Sequence, residues 1–198
     1  MHALNTILEK KLLAEKINQY IVHTPSIARK AKAGQFVILR LSDGGERVPL
    51  TIVDHDAEKG TITLIVQTVG KSTKMLDEIE PGEAIQDVLG PLGNPSEIEN
   101  FGRVAVIGGG VGAAVAFPVA KALKLAGNHV TAIVGARNKD LIILKPELEQ
   151  VTDRLLLTTD DGSYGLHGFV TDQLRMLLES GESFDYVLAI GPLFMMRA

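Results

Sequence analysis

The apolar pattern of this chain changes period once, near Gly102, and that change does most to limit the folds open to it. Beyond Gly102 the segments RVAVIGG, HVTAIVGA, RLLLTT and FDYVLAIG read as strands that are apolar throughout. Between them lie the helical patterns AAVAFPVAKALKLAG, KPELEQV (145–151) and GFVTDQLRMLLES. A strand with no polar face must be covered on both sides, so this half predicts a parallel sheet with helices on each face, an α/β domain over 99–198. Residues 1–98 follow another rule. There QFVILRLS (35–42), LTIVDHD (50–56) and TITLIVQT (61–68) are short, β-branched and bounded by SDGG and AEKG, as in a small antiparallel barrel or sandwich. One helix is expected at STKMLDEI (72–79), capped by Ser72 or Thr73 and ended by Pro81-Gly82, and the GPLGNP cluster (90–95) marks the boundary.

The net charge of −4 offers no basic stripe to neutralise phosphates, which argues against a nucleic-acid partner. The denser lysines and arginines before residue 41 read more simply as solvated strand and turn faces than as a docking patch. With no cysteine, this chain has no disulfide, thiol nucleophile or cysteine-held metal. No apolar run approaches the ~18 residues of a membrane span, and MHALNTILEKK lacks the order of a secretory signal. The expectation is a soluble, cytoplasmic protein without membrane association.

Among local motifs, VAVIGGGVGAAVAF (104–117) is the strongest: Gly108, Gly110 and Ala113 fit G-x-G-x-x-G/A between a strand and a helix. Glycines there let backbone N–H groups approach a pyrophosphate, although a tight turn that binds nothing has the same look. The acidic residue that a dinucleotide fold carries at the end of the next strand is missing, since that end reads Gly135-Ala136-Arg137. GKST (70–73) is not a phosphate loop of the ATPase kind, because position 65 is Ile. It still follows a strand and opens a helix, so its amides and hydroxyls suit a phosphate or a plain helix cap. TTDDGSYGLHG (158–168) starts where a parallel strand ends, the edge at which such sheets hold ligands, and the alternative is a simple Asx turn. The five histidines show no metal spacing, and Asp160-Asp161 suit ribose hydroxyls better than a metal.

GERVPLTI, VQTVGKSTKML, GPLGNP, GGGVGAA and TDDGSYG, in that order, resemble the ferredoxin–NADP⁺ reductase superfamily. The resemblance is greatest to flavoprotein subunits such as the alpha subunit of NADH-dependent ferredoxin:NADP⁺ oxidoreductase and the sulfide dehydrogenase beta subunit. The electron-transfer subunit of dihydroorotate dehydrogenase is a related branch. This implies an FAD-binding barrel followed by an NAD(P)-binding α/β domain. In the barrel, the resemblance puts Arg47 on the flavin phosphate, Pro49 and Leu50 along the flavin, and the Thr51 hydroxyl near N5 as the catalytic group. Val48 stands in the strict arginine slot and Leu50 where relatives carry a stacking tyrosine. Val66 and Gln67 then line the ring, and Gly70, Lys71, Ser72 and Thr73 hold the pyrophosphate.

In the second domain the resemblance assigns the nicotinamide nucleotide to Gly108, Gly109, Gly110, Val111 and Gly112. The adenosine ribose falls to Gly135, Ala136, Arg137, Asp160 and Asp161, and the nicotinamide side to Gly191, Pro192 and Met195. Carboxylates suit a 2′-hydroxyl and repel a 2′-phosphate, so NAD(H) is expected ahead of NADP(H), with Arg137 pulling the other way. The implied activity is hydride transfer between NAD(H) and FAD, then single electrons to an iron–sulfur centre, a ferredoxin or a larger oxidoreductase subunit. A non-catalytic nucleotide-binding module on the same fold is the competing class. In relatives the AIGPLFMMRA stretch (189–198) leads on to a cysteine-rich [2Fe–2S] segment. The expectation is therefore that these residues belong to a longer chain and that the cluster lies beyond them.

Overall fold

The computed structural model describes residues 3–197, so His2 and Ala198 lie outside the described residues. It separates into two compact units, one ending at Ser96 and the other beginning at Glu97.

All pairings in the first unit are antiparallel. The hairpin of β1 (Ile7–Ala14) and β2 (Ile17–His23) continues through β6 (Thr61–Gln67) to β5 (Asp54–Asp56). A second sheet sets β3 (Phe36–Arg40) between β4 (Val48–Thr51) and β7 (Asp87–Leu92). Two seams of backbone hydrogen bonds close these sheets on one another as a barrel. At one, Ile52 donates to the Gln35 carbonyl at 3.0 Å and Val53 to the Thr63 carbonyl at 2.9 Å, so consecutive residues bond to different sheets. At the other, Ile7 donates to Glu83 and Ile85 to Asn5, both at 2.9 Å, just before β7 begins. The first seam corrects the single strand expected over 50–56: the chain leaves β4 at Thr51 and starts β5 at Asp54. Ile52 and Val53 are both buried because they turn the corner between sheets.

Inward residues alternate along the strands, as the period of two requires. Tyr20 and Val22 on β2, Val37 and Leu39 on β3, and Ile62, Leu64 and Val66 on β6 form one core, closed by Ile27 of α1 (Pro25–Ala28) and Leu76 of α2 (Lys71–Asp77). Each such apolar side chain contributes roughly 1.5–3 kcal/mol on burial.

The second unit is a five-stranded parallel sheet of β8 (Arg103–Gly109), β9 (His129–Ala136), β10 (Arg154–Thr159), β11 (Leu166–His167) and β12 (Tyr186–Ile190). Its spatial order is β11-β10-β9-β8-β12. Adjacent residues Val104, Ala105 and Val106 are all buried, as are Ala132 and Ile133, which shows that both faces of the sheet are covered. The crossovers are α3 (Gly112–Leu125), α4 (Lys145–Val151) and α5 (Val170–Glu179), and α6 (Leu193–Arg197) follows β12. The chain steps outward from β8 to β11 and then returns to the other side of β8 with β12. The strand order therefore reverses at β8. In open α/β sheets the crevice at the carboxyl ends of strands beside such a reversal is where ligands bind.

Candidate functional site

The carboxyl end of β8 is the turn Gly108–Gly112, and its glycines have different reasons to be there. A Cβ on Gly108 would lie 2.8 Å from the Ala113 Cα, and one on Gly112 only 2.6 Å from the Ile190 carbonyl oxygen. On Gly109 it would meet the Met195 sulfur at 2.6 Å and Pro192 at 3.4 Å. These three glycines let β8, α3 and the turn after β12 pack closely. Gly110 differs: its φ is +59° and nothing lies within 4 Å of where its Cβ would be. Its amide donates to the Gly135 carbonyl at 2.8 Å and its carbonyl accepts from Ala113 at 3.1 Å. In the first turn of α3 the Ala113 amide is thus taken, and the Ala114 amide donates to the Val111 carbonyl at 3.0 Å, while the helix dipole adds partial positive charge at this end. Gly191 and Met195 meet the same turn, since a Cβ on Gly191 would lie 2.5 Å from the Met195 methyl and 3.5 Å from the Gly109 Cα. The sequence-predicted GGGVG and GPLFM residues are thus brought together at the reversal of strand order.

Next to them, β9 and β10 end in register at Ala136 and Thr159. Gly135 and Ala136, expected to line the ribose, are buried. A Cβ on Gly135 would strike Val170 and Thr158, and the Ala136 carbonyl accepts from the Asp160 amide at 3.1 Å. Their side is packing, and Arg137 is the exposed side chain of that trio. The two aspartates also divide. Asp161 accepts from the Ser163 hydroxyl at 2.6 Å and the Ser163 amide at 2.9 Å, bonds that hold its carboxyl below the usual carboxylate range. It closes the Asx turn of its own loop. Asp160 is exposed and makes no such bond, which leaves its carboxylate free for a ligand hydroxyl.

In the barrel unit the turn before α2 is built around one side chain. Thr73 Oγ1 accepts from the amides of Val69 and Gly70, each at 2.9 Å, and donates to the Gly70 carbonyl at 3.1 Å. Gly70 has open space around its missing Cβ, and Lys71 is exposed. Ser72, the other residue expected to cap this helix, instead donates to the carboxylate of Glu46. That bond ties the loop that carries Arg47, just before β4, to the start of α2, a contact sequence reasoning missed. On β4, Pro49 and Thr51 share one face, and Leu50 points the other way, against the barrel core. Leu50, expected along the flavin, is thus partly buried. Val66 is likewise a core residue, whereas its neighbour Gln67 is exposed.

A cleft of about 390 Å³ lies elsewhere, lined by Lys145, Glu149, Tyr164 and Gln173 over Leu155 to Leu157. It exists because β11 pairs only with Thr158 and Thr159, which leaves the rest of that β10 edge uncovered. Tyr164, Gly165 and Leu166 of the TTDDGSYGLHG segment line it, but none of the residues assigned to a nucleotide does. Among the described residues there is no group of three His, Asp or Glu side chains placed to hold a metal, and no helix long and apolar enough to cross a membrane.

One comparison with known proteins falls within the first unit, and the others span the chain. A model of the oxidoreductase FAD-binding domain matches residues 5–96. Over 195 residues the chain is 48% identical to a dihydroorotate dehydrogenase B (NAD(+)) electron transfer subunit homolog of Thermotoga maritima, spanning 98% of this chain and 68% of that protein. It is 31% identical to the corresponding electron transfer subunit of Geobacillus thermodenitrificans, over 98% of this chain and 76% of the relative. A solved structure of an NADH-dependent reduced ferredoxin–NADP oxidoreductase, studied for flavin-based electron bifurcation, superposes with a TM-score of 0.93 at 47% identity. That match covers 100% of this chain and 71% of the other.

Proposed function

The chain belongs to the FAD-binding oxidoreductases of the ferredoxin reductase-like family, and from that premise we propose that it is an electron-transfer flavoprotein subunit oxidising NADH. The observation that carries the nicotinamide half of this reading is the Gly108–Gly112 turn, which opens at the reversal of strand order with Gly110 unobstructed. The residues of the barrel unit fit a flavin: the Gly70–Thr73 turn offers a glycine with open space, first-turn amides without intrahelical acceptors and an exposed lysine, with the Arg47 loop bonded beside it. When bound, FAD supplies the chemistry, accepting a hydride from the nicotinamide and releasing electrons one at a time.

The protein's own part is positional. Lys71, Arg47 and the amides at the start of α2 would hold the flavin diphosphate, and the Thr51 hydroxyl, on the same face of β4 as Pro49, would supply a donor for the flavin ring. In the second unit the unobstructed turn at Gly110 and the positive end of the α3 dipole would hold the nicotinamide nucleotide's diphosphate, with Gly191, Pro192 and Met195 toward its nicotinamide side. Asp160 accepts from the ribose hydroxyls and repels a 2′-phosphate, which favours NADH over NADPH. Electrons leave to an iron–sulfur centre, in a ferredoxin or in a larger partner subunit, in a cytoplasmic complex.

The names of the Thermotoga and Geobacillus relatives support a second reading, in which the partner is a dihydroorotate dehydrogenase catalytic subunit. Anaerobic visible spectra of the FAD-supplemented protein test the proposal. A yellow protein bleached by NADH, and more slowly by NADPH, is expected. A protein that stays colourless after FAD addition, or stays yellow with NADH, contradicts it. Co-purification from the source organism, with the large partner identified by mass, separates the two readings.

A further inference from the structure

Four polar side chains converge at the far end of α2, and the flavin reading does not use them. Asp77 closes the helix, and its carboxylate accepts from the Asn18 amide at 2.8 Å and the Tyr20 hydroxyl at 3.4 Å, both on β2. Lys10, on β1, lies 3.5 Å from the same carboxylate, donates to the Asp77 backbone carbonyl and pairs with Glu80 at 3.2 Å. Asn18 and Tyr20 are buried, at 6% and 1% exposure. Burial first, and then the Asp77 carboxylate, push the Tyr20 hydroxyl well above the usual phenol range.

Such a group of donors is costly to bury unless each finds an acceptor. All three side chains find theirs on one residue of a helix that is only seven residues long. Apart from this cluster, α2 contributes to the core through Leu76, its one buried residue. A short helix with a single apolar anchor can pivot, and a second fixed point removes that freedom. That point is Asp77 at the far end, five residues beyond Ser72, whose own bond to Glu46 ties the near end only to an exposed loop. The cluster therefore fixes both the tilt of α2 and the direction in which the Gly70–Thr73 turn presents its amides.

We propose that Lys10, Asn18 and Tyr20 clamp Asp77 as positioning residues for the flavin diphosphate, so that the affinity for the phosphate-bearing part of FAD is set from the opposite end of α2. The proposal rests on the assignment of the Gly70–Thr73 turn to that diphosphate. None of the four residues need touch the ligand.

The test uses the full chain and two variants, Asp77→Asn and Asp77→Ala. Asparagine keeps an acceptor oxygen for Asn18 and Tyr20 and loses only the ion pair; alanine removes every acceptor on the side chain. FAD affinity is measured by fluorescence titration at a temperature where circular dichroism shows each protein folded, and phosphorus NMR spectra are recorded at saturating FAD. The expected result is an affinity loss of about tenfold for alanine, the scale of leaving buried donors unpaired, and a smaller loss for asparagine. The phosphorus resonances of bound FAD move in the same order. A purely structural role lowers thermal stability but leaves those resonances and the affinity of the folded protein unchanged, and that outcome overturns the clamp. Should Asp77→Ala not fold, Asp77→Asn carries the same comparison. Failure of the unmodified protein to bind FAD overturns the flavin assignment itself, and the clamp with it.

Discussion

At Gly108–Gly112 the backbone is fixed by what surrounds it, whereas at Gly70–Thr73 it is fixed by a single hydroxyl group. Three of the four glycines in the first turn would drive a Cβ into Ala113, Met195 or the Ile190 carbonyl. In the second, Gly70 meets nothing, and the loop is held by Thr73 Oγ1 bonding to two amides. A glycine-rich motif in an α/β unit therefore records close packing of strand, helix and neighbouring turn before it records a ligand. Gly110 is the one glycine of that motif whose presence packing does not explain. In the barrel turn, with no such crowding, Gly70 and the free amides beside it are left for a ligand with little structural duty of their own.

The largest expected effect separates these roles. Gly112→Ala places a methyl group 2.6 Å from the Ile190 carbonyl oxygen, a backbone atom with no easy escape. Overpacking of this kind is expected to cost about 3 kcal/mol in chemical denaturation. A cost below ~1 kcal/mol would show that crowding does not fix the turn and would break the comparison. Next, Thr73→Val leaves the Val69 and Gly70 amides without their acceptor, at an expected cost of about 1–2 kcal/mol and with weaker FAD binding, while Thr73→Ser restores both. A smaller effect on stability, about 1 kcal/mol, is expected for Gly110→Ala, because φ of +59° strains any residue with a Cβ. The informative readout there is NAD⁺ affinity, which is expected to fall although the site has room for the methyl group. The smallest stability change, within ~0.5 kcal/mol, belongs to Glu46→Gln on an exposed loop. Removing that carboxylate from the start of α2 is expected to tighten FAD binding at low ionic strength, and the gain shrinks as salt is added. Unchanged FAD affinity across the salt series would remove Glu46 from the neighbourhood of the diphosphate.

Much of this architecture was legible in the sequence where one period governs a whole element. Strands at 129–136 and 154–159 and the helix at 145–151 stand where the apolar pattern puts them. Legibility failed where the chain changes partners inside an apolar run. Ile52 and Val53 look like the middle of a strand, yet they are the corner between two sheets. The strand Leu166–His167 was hidden among glycines, since two residues are too few to show alternation.

At the site, motif positions gave the two turns but not what fixes them. The Glu46–Ser72 bond joins residues 26 apart and the Asn18–Asp77 bond residues 59 apart, and neither carries a local signal. The one available hint was the polar pair Asn18-Gln19 inside INQYIVH, since one of two adjacent strand residues must face inward. Alternation also sets Leu50 and Val66 against the core, each next to an outward residue.

The central claim is that the two turns serve two different nucleotides, flavin at the first and nicotinamide at the second. Isothermal titration of FAD and of NAD⁺ into the unmodified protein, Thr73→Val and Gly110→Ala tests it most directly. The account predicts that Thr73→Val weakens FAD binding and leaves NAD⁺ unchanged, and that Gly110→Ala does the reverse. If either substitution weakens both nucleotides equally, or neither moves its assigned nucleotide, the claim is contradicted.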